Sequence, residues 1–301
     1  MAGISERRVA TNSIELNIAE QGEGSLVLLL HGFPESWYSW RHQFAPLAAA
    51  GYHVVAPHMR GYGKSDRPQE IEAYTQVQVM ADIAGLVPAL GYQNAIVIGH
   101  DWGAPTAWGC ALHYPDLFSA VGALSVPFSP RAENPPMATL RETFRGQFFY
   151  QLYFQEPGVA EAEFEADLRL ALKKFLYMAS GNADSTTTLL MRGPDDDLLS
   201  GLEVPDELPD WLTAADLDFY TAEFTESGMR GPLNYYRNHD LTWELTAGAP
   251  TQVTQPAMFA AGDRDGVIVM AAEALKNLPA NVPDLRINEL IPGIGHWTQQ
   301  E

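Results

Sequence analysis

The segment Ala95-Ile96-Val97-Ile98-Gly99-His100-Asp101-Trp102-Gly103-Ala104-Pro105 constrains the fold of this chain more than any other. Its β-branched apolar start reads as a buried strand, Gly99 and Gly103 bracket a tight turn, and residues 106–112 read as a helix. Such a strand-turn-helix corner is an elbow of the form Gly-x-nucleophile-x-Gly, in which small residues let the chain reverse and push the central side chain outward. Here that side chain is Asp101. A serine at this point would form an acyl-enzyme, whereas a carboxylate attacks an sp3 carbon and becomes an ester that water must cleave. The elbow therefore predicts hydrolysis of a strained or activated carbon–heteroatom bond.

Continuous apolar runs at 26–30, 53–56, 95–99 and 121–124 suit strands buried on both faces, and the stretches between them are helix-like. Residues 1–128 thus predict an α/β fold with a mostly parallel sheet flanked by helices. Ile14, Leu16 and Ile18 alternate with polar residues as in an exposed hairpin strand. From about 129 to 248 the strand signals lapse, and 161–178 and 214–227 carry the apolar spacing of helices, divided by loops at 192–197 and 203–209. Strand signals return at 257–260 and 285–290. A helical insert inside such a sheet predicts a cap, residues 129–248, over the carboxyl ends of the strands of a core made from 1–128 and 249–301.

With 38 acidic against 18 basic residues the formal charge is -20, which argues against nucleic acid or an anionic membrane as partner. Cys110 is the one cysteine, so neither an intrachain disulfide nor a cysteine metal cluster is expected. The first residues lack an apolar signal-peptide core, and no run approaches the roughly 18 apolar residues of a membrane span, which makes the cytoplasm the expected address.

An ester on Asp101 needs a base to activate water. His296, in Gly293-Ile294-Gly295-His296-Trp297, follows a late strand between glycines, and an unperturbed pKa of about 6.5 suits it to the role. The acid that orients it should follow the preceding strand, in Gly262-Asp263-Arg264-Asp265. Two aspartates compete there; Asp265 is favoured as the orienting acid and Asp263 as a cap on the turn. His31-Gly32-Phe33-Pro34 comes directly after the run at 26–30, so the backbone amides of Phe33 and Trp102 are the expected oxyanion hole. The order nucleophile, acid, histidine is that of the α/β-hydrolase fold.

His31-Gly32-Phe33-Pro34-Glu35-Ser36-Trp37, Arg60-Gly61-Tyr62-Gly63-Lys64-Ser65-Asp66, Gly99-His100-Asp101-Trp102-Gly103 and Gly295-His296-Trp297 together resemble the epoxide hydrolases of the α/β-hydrolase fold. In the insert, Tyr150-Gln151-Leu152-Tyr153-Phe154-Gln155-Glu156-Pro157-Gly158 and Arg230-Gly231-Pro232-Leu233-Asn234-Tyr235-Tyr236-Arg237-Asn238 resemble the segments in which soluble epoxide hydrolases carry their ring-opening tyrosines. The resemblance spans nearly the whole chain. It implies that Tyr150 and Tyr236 bind and protonate the epoxide oxygen, that Tyr153 and Tyr235 are packing residues or pocket walls, and that the product is a vicinal diol. It also implies that a small apolar epoxide and water are the partners and that no metal or organic cofactor takes part. Phe33, Trp37, Trp102 and Trp297 are the expected substrate-binding aromatics, which suggests an apolar or aryl substituent.

Two features depart from the family pattern. The chain ends at Glu301, five residues beyond His296, where the fold normally continues into a helix that packs on the sheet, so either the sequence is cut short there or that surface lies open. His58 stands where relatives usually carry aspartate, and a structural role is expected for it. Haloalkane dehalogenases are the alternative that shares the Asp nucleophile and the following Trp, but their oxyanion loop usually carries Asn where this chain has Phe33, and they do not need paired cap tyrosines. A non-catalytic binder of small ligands on the same fold is the third reading.

Overall fold

The computed structural model describes residues 3–183, 193 and 196–301. Eight strands form one sheet: β1 (Ser5–Thr11), β2 (Ile14–Gln21), β3 (Ser25–Leu30), β4 (Tyr52–Pro57), β5 (Ala95–His100), β6 (Phe118–Leu124), β7 (Ala257–Gly262) and β8 (Leu285–Ile291). Their spatial order is β1-β2-β4-β3-β5-β6-β7-β8. The β1–β2 and β2–β4 pairs are antiparallel and every other pair is parallel. The central strands bear out the apolar runs: Leu26 to Leu30 of β3 and Val54 to Ala56 of β4 are almost fully buried, as strands covered on both faces must be.

Two strand expectations need correction. β1 is an additional strand, read from no signal in the sequence, and its Arg7 and Arg8 are exposed at the sheet edge. The segment expected to be an exposed hairpin strand is β2, which lies inside the sheet between β1 and β4 with Leu16, Ile18 and Ala19 fully buried.

Among the described residues the helices are α1 (Phe44–Ala49), α2 (Gln76–Ala89), α3 (Gly103–His113), α4 (Pro136–Thr143), α5 (Tyr150–Tyr153), α6 (Val159–Ala166), α7 (Leu168–Met178), α8 (Ala214–Ser227), α9 (Arg230–Arg237), α10 (His239–Leu245), α11 (Gly266–Met270) and α12 (Ala272–Asn281). The stretch 161–178, expected as one helix, is two. Asp167 leaves helical geometry at φ -149 and ψ 82, and its carboxylate caps α7 by accepting from Leu170 N. The predicted loop at 203–209 is non-helical; Arg192, Pro194 and Asp195 of the loop predicted at 192–197 lie outside the described residues. Among the described residues no helix is long and apolar enough to cross a membrane.

Helices α4 to α10 follow β6 and precede β7, and they pack on the loops that leave the carboxyl ends of the strands. Phe33, after β3, contacts Phe154, Phe164, Phe175 and Tyr236; Tyr62, after β4, contacts Phe224 and Tyr235; Trp102, after β5, contacts Tyr235 and Tyr236. The Tyr235 hydroxyl adds a buried bond to Arg60 O at 2.9 Å. His58 is completely buried, faces Asn17 Nδ2 through its Nδ1, and pairs through Nε2 with Glu223 of α8, so it too ties the sheet to the insert.

Candidate active site

The elbow is built as its glycines require. Asp101 sits between β5 and α3 at φ +50, in the left-handed region that side-chain-bearing residues seldom occupy. A Cβ at Gly99 would collide with the carbonyl oxygen of Gly103, and a Cβ at Gly32 would collide with the Asp101 carboxylate. With Gly32 bare, the next amide reaches Asp101: Phe33 N donates to Asp101 Oδ1 at 2.6 Å. Of the two amides expected in the oxyanion hole, Phe33 therefore holds the Asp101 carboxylate, and Trp102 follows Asp101 directly at the entry to α3.

His296 Nε2 lies 3.5 Å from Asp101 Oδ2, and His296 Nδ1 lies 3.0 Å from Asp265 Oδ2. Asp265, not Asp263, reaches the histidine. Its other oxygen accepts from Val267 N at 2.8 Å, and the side chain is 1% exposed. Asp263 is exposed and instead accepts from Gly293 N, holding the turn after β8. Burial penalises the charged ring of His296, but the flanking Asp265 and Asp101 carboxylates outweigh it and raise its pKa well above the usual histidine range. Burial also disfavours the Asp265 carboxylate, yet His296 and the hydrogen bond from Val267 N hold its pKa below the ordinary aspartate value. Asp265 is thus a fixed anion behind the imidazole.

Tyr150, Tyr153 and Tyr235 of the insert divide by the direction of their hydrogen bonds. Tyr153 OH donates to Glu163 Oε2 at 2.8 Å and Tyr235 OH donates to Arg60 O, so both protons are committed to the protein. Tyr150 OH instead accepts from Gln151 Nε2 at 2.8 Å, which leaves its proton to give. The Tyr236 ring stands edge-on to Trp102, 5.0 Å between centroids, and 5.9 Å from that of Tyr150. Both tyrosines line the two cavities that meet at Asp101. Burial, the largest influence on each, drives the phenol pKa values far up, while the neighbouring Gln151 and Trp102 pull the other way.

One cavity, of about 450 Å³, runs from Asp101 past Trp102 and Trp108 to Trp243. The other, of about 60 Å³, lies on the His296 side, with Phe33, Phe175 and Met178 around it. Phe33 lines the smaller cavity and Trp102 the larger. Trp37 and Trp297 line neither, and their expected substrate-binding role is corrected. Trp37 turns into a cluster with Tyr38, Phe44 and Phe219, while Trp297 is fully buried with its indole bonded to Leu176 O at 2.6 Å.

The sequence reading missed a buried carboxylate that joins all three catalytic loops. Glu35 Oε2 accepts from Gly32 N at 3.1 Å and lies 2.7 Å from His100 Nδ1, while Oε1 accepts from Gln299 and Gln300 at 2.9 and 3.0 Å. His100 Nε2 lies 2.7 Å from His296 O, which also accepts from Ser125 Oγ at 2.9 Å. One carboxylate thereby braces the oxyanion loop, the elbow and the base. Burial disfavours its charge, yet His100, aided by His31 and Gly32, lowers its pKa to about 2. Its adjacency to the His31-Gly32 motif was the available signal, but its partners lie 65 and more than 260 positions away.

Residues 25–301 match the family model described as alpha/beta hydrolase fold. Over its whole length the chain is 43% identical to Epoxide hydrolase A of Mycobacterium tuberculosis, covering 94% of that protein. It is 39% identical to Epoxide hydrolase 1 of Siraitia grosvenorii, covering all of this chain and 95% of that one. The solved structure of an epoxide hydrolase from an endophytic Streptomyces matches with a TM-score of 0.97 at 44% identity, over 100% of this chain and 92% of that one.

Proposed function

The chain belongs to the epoxide hydrolases of the α/β-hydrolase fold, and we propose that it opens its substrate through a covalent ester on Asp101, which His296 and water then cleave. The observation that carries this reading is the placement of Tyr150 and Tyr236 around the cavities at Asp101, an aspartate backed by His296, with the Tyr150 proton left free by the bond from Gln151.

In the first step Asp101 Oδ2 attacks a ring carbon. The carbon–oxygen bond of the epoxide breaks, its electron pair stays on the ring oxygen, and a tyrosine proton converts that oxygen to a hydroxyl. Where Tyr150 gives the proton, the resulting phenolate is held by the bond from Gln151. Esterification also removes one of the two negative charges that keep His296 protonated, so its proton moves through water to the phenolate and leaves a neutral imidazole.

In the second step His296 takes a proton from water, whose oxygen attacks the ester carbonyl, and the oxyanion rests on the amides of Phe33 and Trp102. The ester bond then breaks and the leaving alkoxide takes the carboxyl proton, which yields the diol and restores the Asp101 carboxylate and the His296 imidazolium.

Cavity shape adds a preference. The space of about 450 Å³ accommodates one large apolar substituent, while the space of about 60 Å³ beside His296 suits the hydrolytic water and a small group. A single turnover in heavy-oxygen water tests the ester route. The first diol should carry no label and the label should enter Asp101; label in the first diol would mean direct attack by water.

A further inference from the structure

Among the described residues, five line both cavities that meet at the elbow: Asp101, Tyr150, Tyr236, Val267 and Met270. The first three are the reacting groups of the mechanism proposed above. The other two are apolar and belong to one short helix, α11, in which a spacing of three puts them on the same face. Of the residues between them, Ile268 is buried and Val269 is 66% exposed. An epoxide that meets the nucleophile and both phenols sits where the cavities join, so Val267 and Met270 flank its ring.

The catalytic acid fixes this face in place. Asp265 caps α11, accepting from Val267 N at 2.8 Å through one carboxylate oxygen while the other lies 3.0 Å from His296 Nδ1. Val267 is therefore held in one position relative to the base. Elsewhere around the smaller cavity, Phe33 and Phe175 are buried in an aromatic cluster with Phe164 and cannot give way without opening the core. Val267 is half-buried and Met270 is 41% exposed, so these two can be trimmed without that cost.

The smaller cavity imposes a size limit. An engineered apolar cavity of about 150 Å³ binds benzene, and a water claims about 30 Å³. A space of about 60 Å³ thus holds about two waters, or one water and a methyl group, but no phenyl ring. One place is needed for the hydrolytic water, since His296 and Asp265 line this cavity and not the larger one. The larger cavity, of about 450 Å³, has room for a phenyl ring.

We propose that Val267 and Met270 are specificity-determining residues that limit the second substituent of the epoxide to about the size of a methyl group. Epoxides with one large apolar substituent, alone or beside a methyl, are then the substrate class, and epoxides with a bulky group on each carbon are excluded. The assignment rests on the epoxide-opening reading above.

The test compares kcat/KM for styrene oxide, its trans-methyl homologue and trans-stilbene oxide. The wild type should prefer styrene oxide to trans-stilbene oxide by at least about a hundredfold and should accept the methyl compound within about tenfold of styrene oxide. Met270→Ala, and more strongly Val267→Ala/Met270→Ala, should reduce the preference against trans-stilbene oxide by at least about tenfold. Turnover of styrene oxide by each variant shows that it is folded and reads the proposed function separately. A wild-type preference below about tenfold, or one that neither variant reduces, overturns the assignment. If the wild type opens no epoxide, the epoxide-opening reading fails, and the same ratio taken from dissociation constants by tryptophan fluorescence decides the size limit instead.

Discussion

The amide of Gln151 donates to the hydroxyl oxygen of Tyr150 at 2.8 Å, and this bond turns the phenol proton away from the protein. In the proposed reaction it would also stabilise the phenolate that forms as the ring opens. Gln151→Leu should therefore slow alkylation of the enzyme about tenfold, the order of one hydrogen bond that strengthens as charge develops. Hydrolysis of the ester should be unaffected. Pre-steady-state mixing separates the two steps, and an equal loss in both would show that Gln151 merely shapes the site.

Tyr153 and Tyr235 provide the control. Their protons are committed to Glu163 and Arg60 O, so Tyr153→Phe and Tyr235→Phe should lower thermal stability, by about 1 kcal/mol per lost bond, with little change in the alkylation rate. Tyr150→Phe and Tyr236→Phe should each cost alkylation about a hundredfold, within the range of general acid catalysis. Parity among the four variants would contradict the assignment.

The charge state of His296 should follow that of Asp101. In the resting enzyme two carboxylates raise the imidazole pKa well above its usual range. An ester at Asp101 removes one of them, and losing a negative neighbour lowers the pKa of a cation. The pKa read from the pH dependence of ester hydrolysis should thus lie below that of His296 in the free enzyme, measured by NMR titration. Rates of hydrolysis should rise with pH through that lower value, and a pKa equal to or above the free-enzyme one would contradict the mechanism.

Acid should unfold the protein in two stages. Burial lowers the pKa of both His31 and His239 from 6.5 to about 4, so over that interval the unfolded chain binds protons that the native chain refuses, and up to about 3 kcal/mol of stability per histidine is lost as pH falls. Glu35 is held at about 2 against an ordinary 4.5, so its contribution is present above 4.5 and is lost as pH falls from there toward 2. Melting temperatures across this range should show both declines, and Glu35→Gln should remove the lower one. A flat profile between pH 6.5 and 4 would contradict the role given to the two histidines.

The elbow, the histidine and the buried strands were legible because each depends on local spacing. Gly99 and Gly103 flank Asp101 within the same turn, and of the β-branched run before them Val97 is buried and Ile96 and Ile98 are partly buried. The choice of Asp265 over Asp263 was only favoured in sequence, because both lie in one short loop and the hydrogen bonds alone show which turns inward. Trp37 and Trp297 were misread because nearness to a motif does not say which way a large ring points. The helix break at Asp167 was hidden because the apolar spacing runs on through a residue that ends one helix and caps the next. Glu35 was missed for a different reason: a lone polar residue carries no pattern, and its meaning comes from partners brought together by the fold.

The covalent ester is the central claim, and its most direct measurement is the mass of a His296→Gln variant after incubation with styrene oxide. The account predicts a stable gain equal to one epoxide, mapped by peptide analysis to Asp101 and absent when Asp101 is also changed to Ala. An unmodified protein that still makes diol, or an adduct on any other residue, would contradict it.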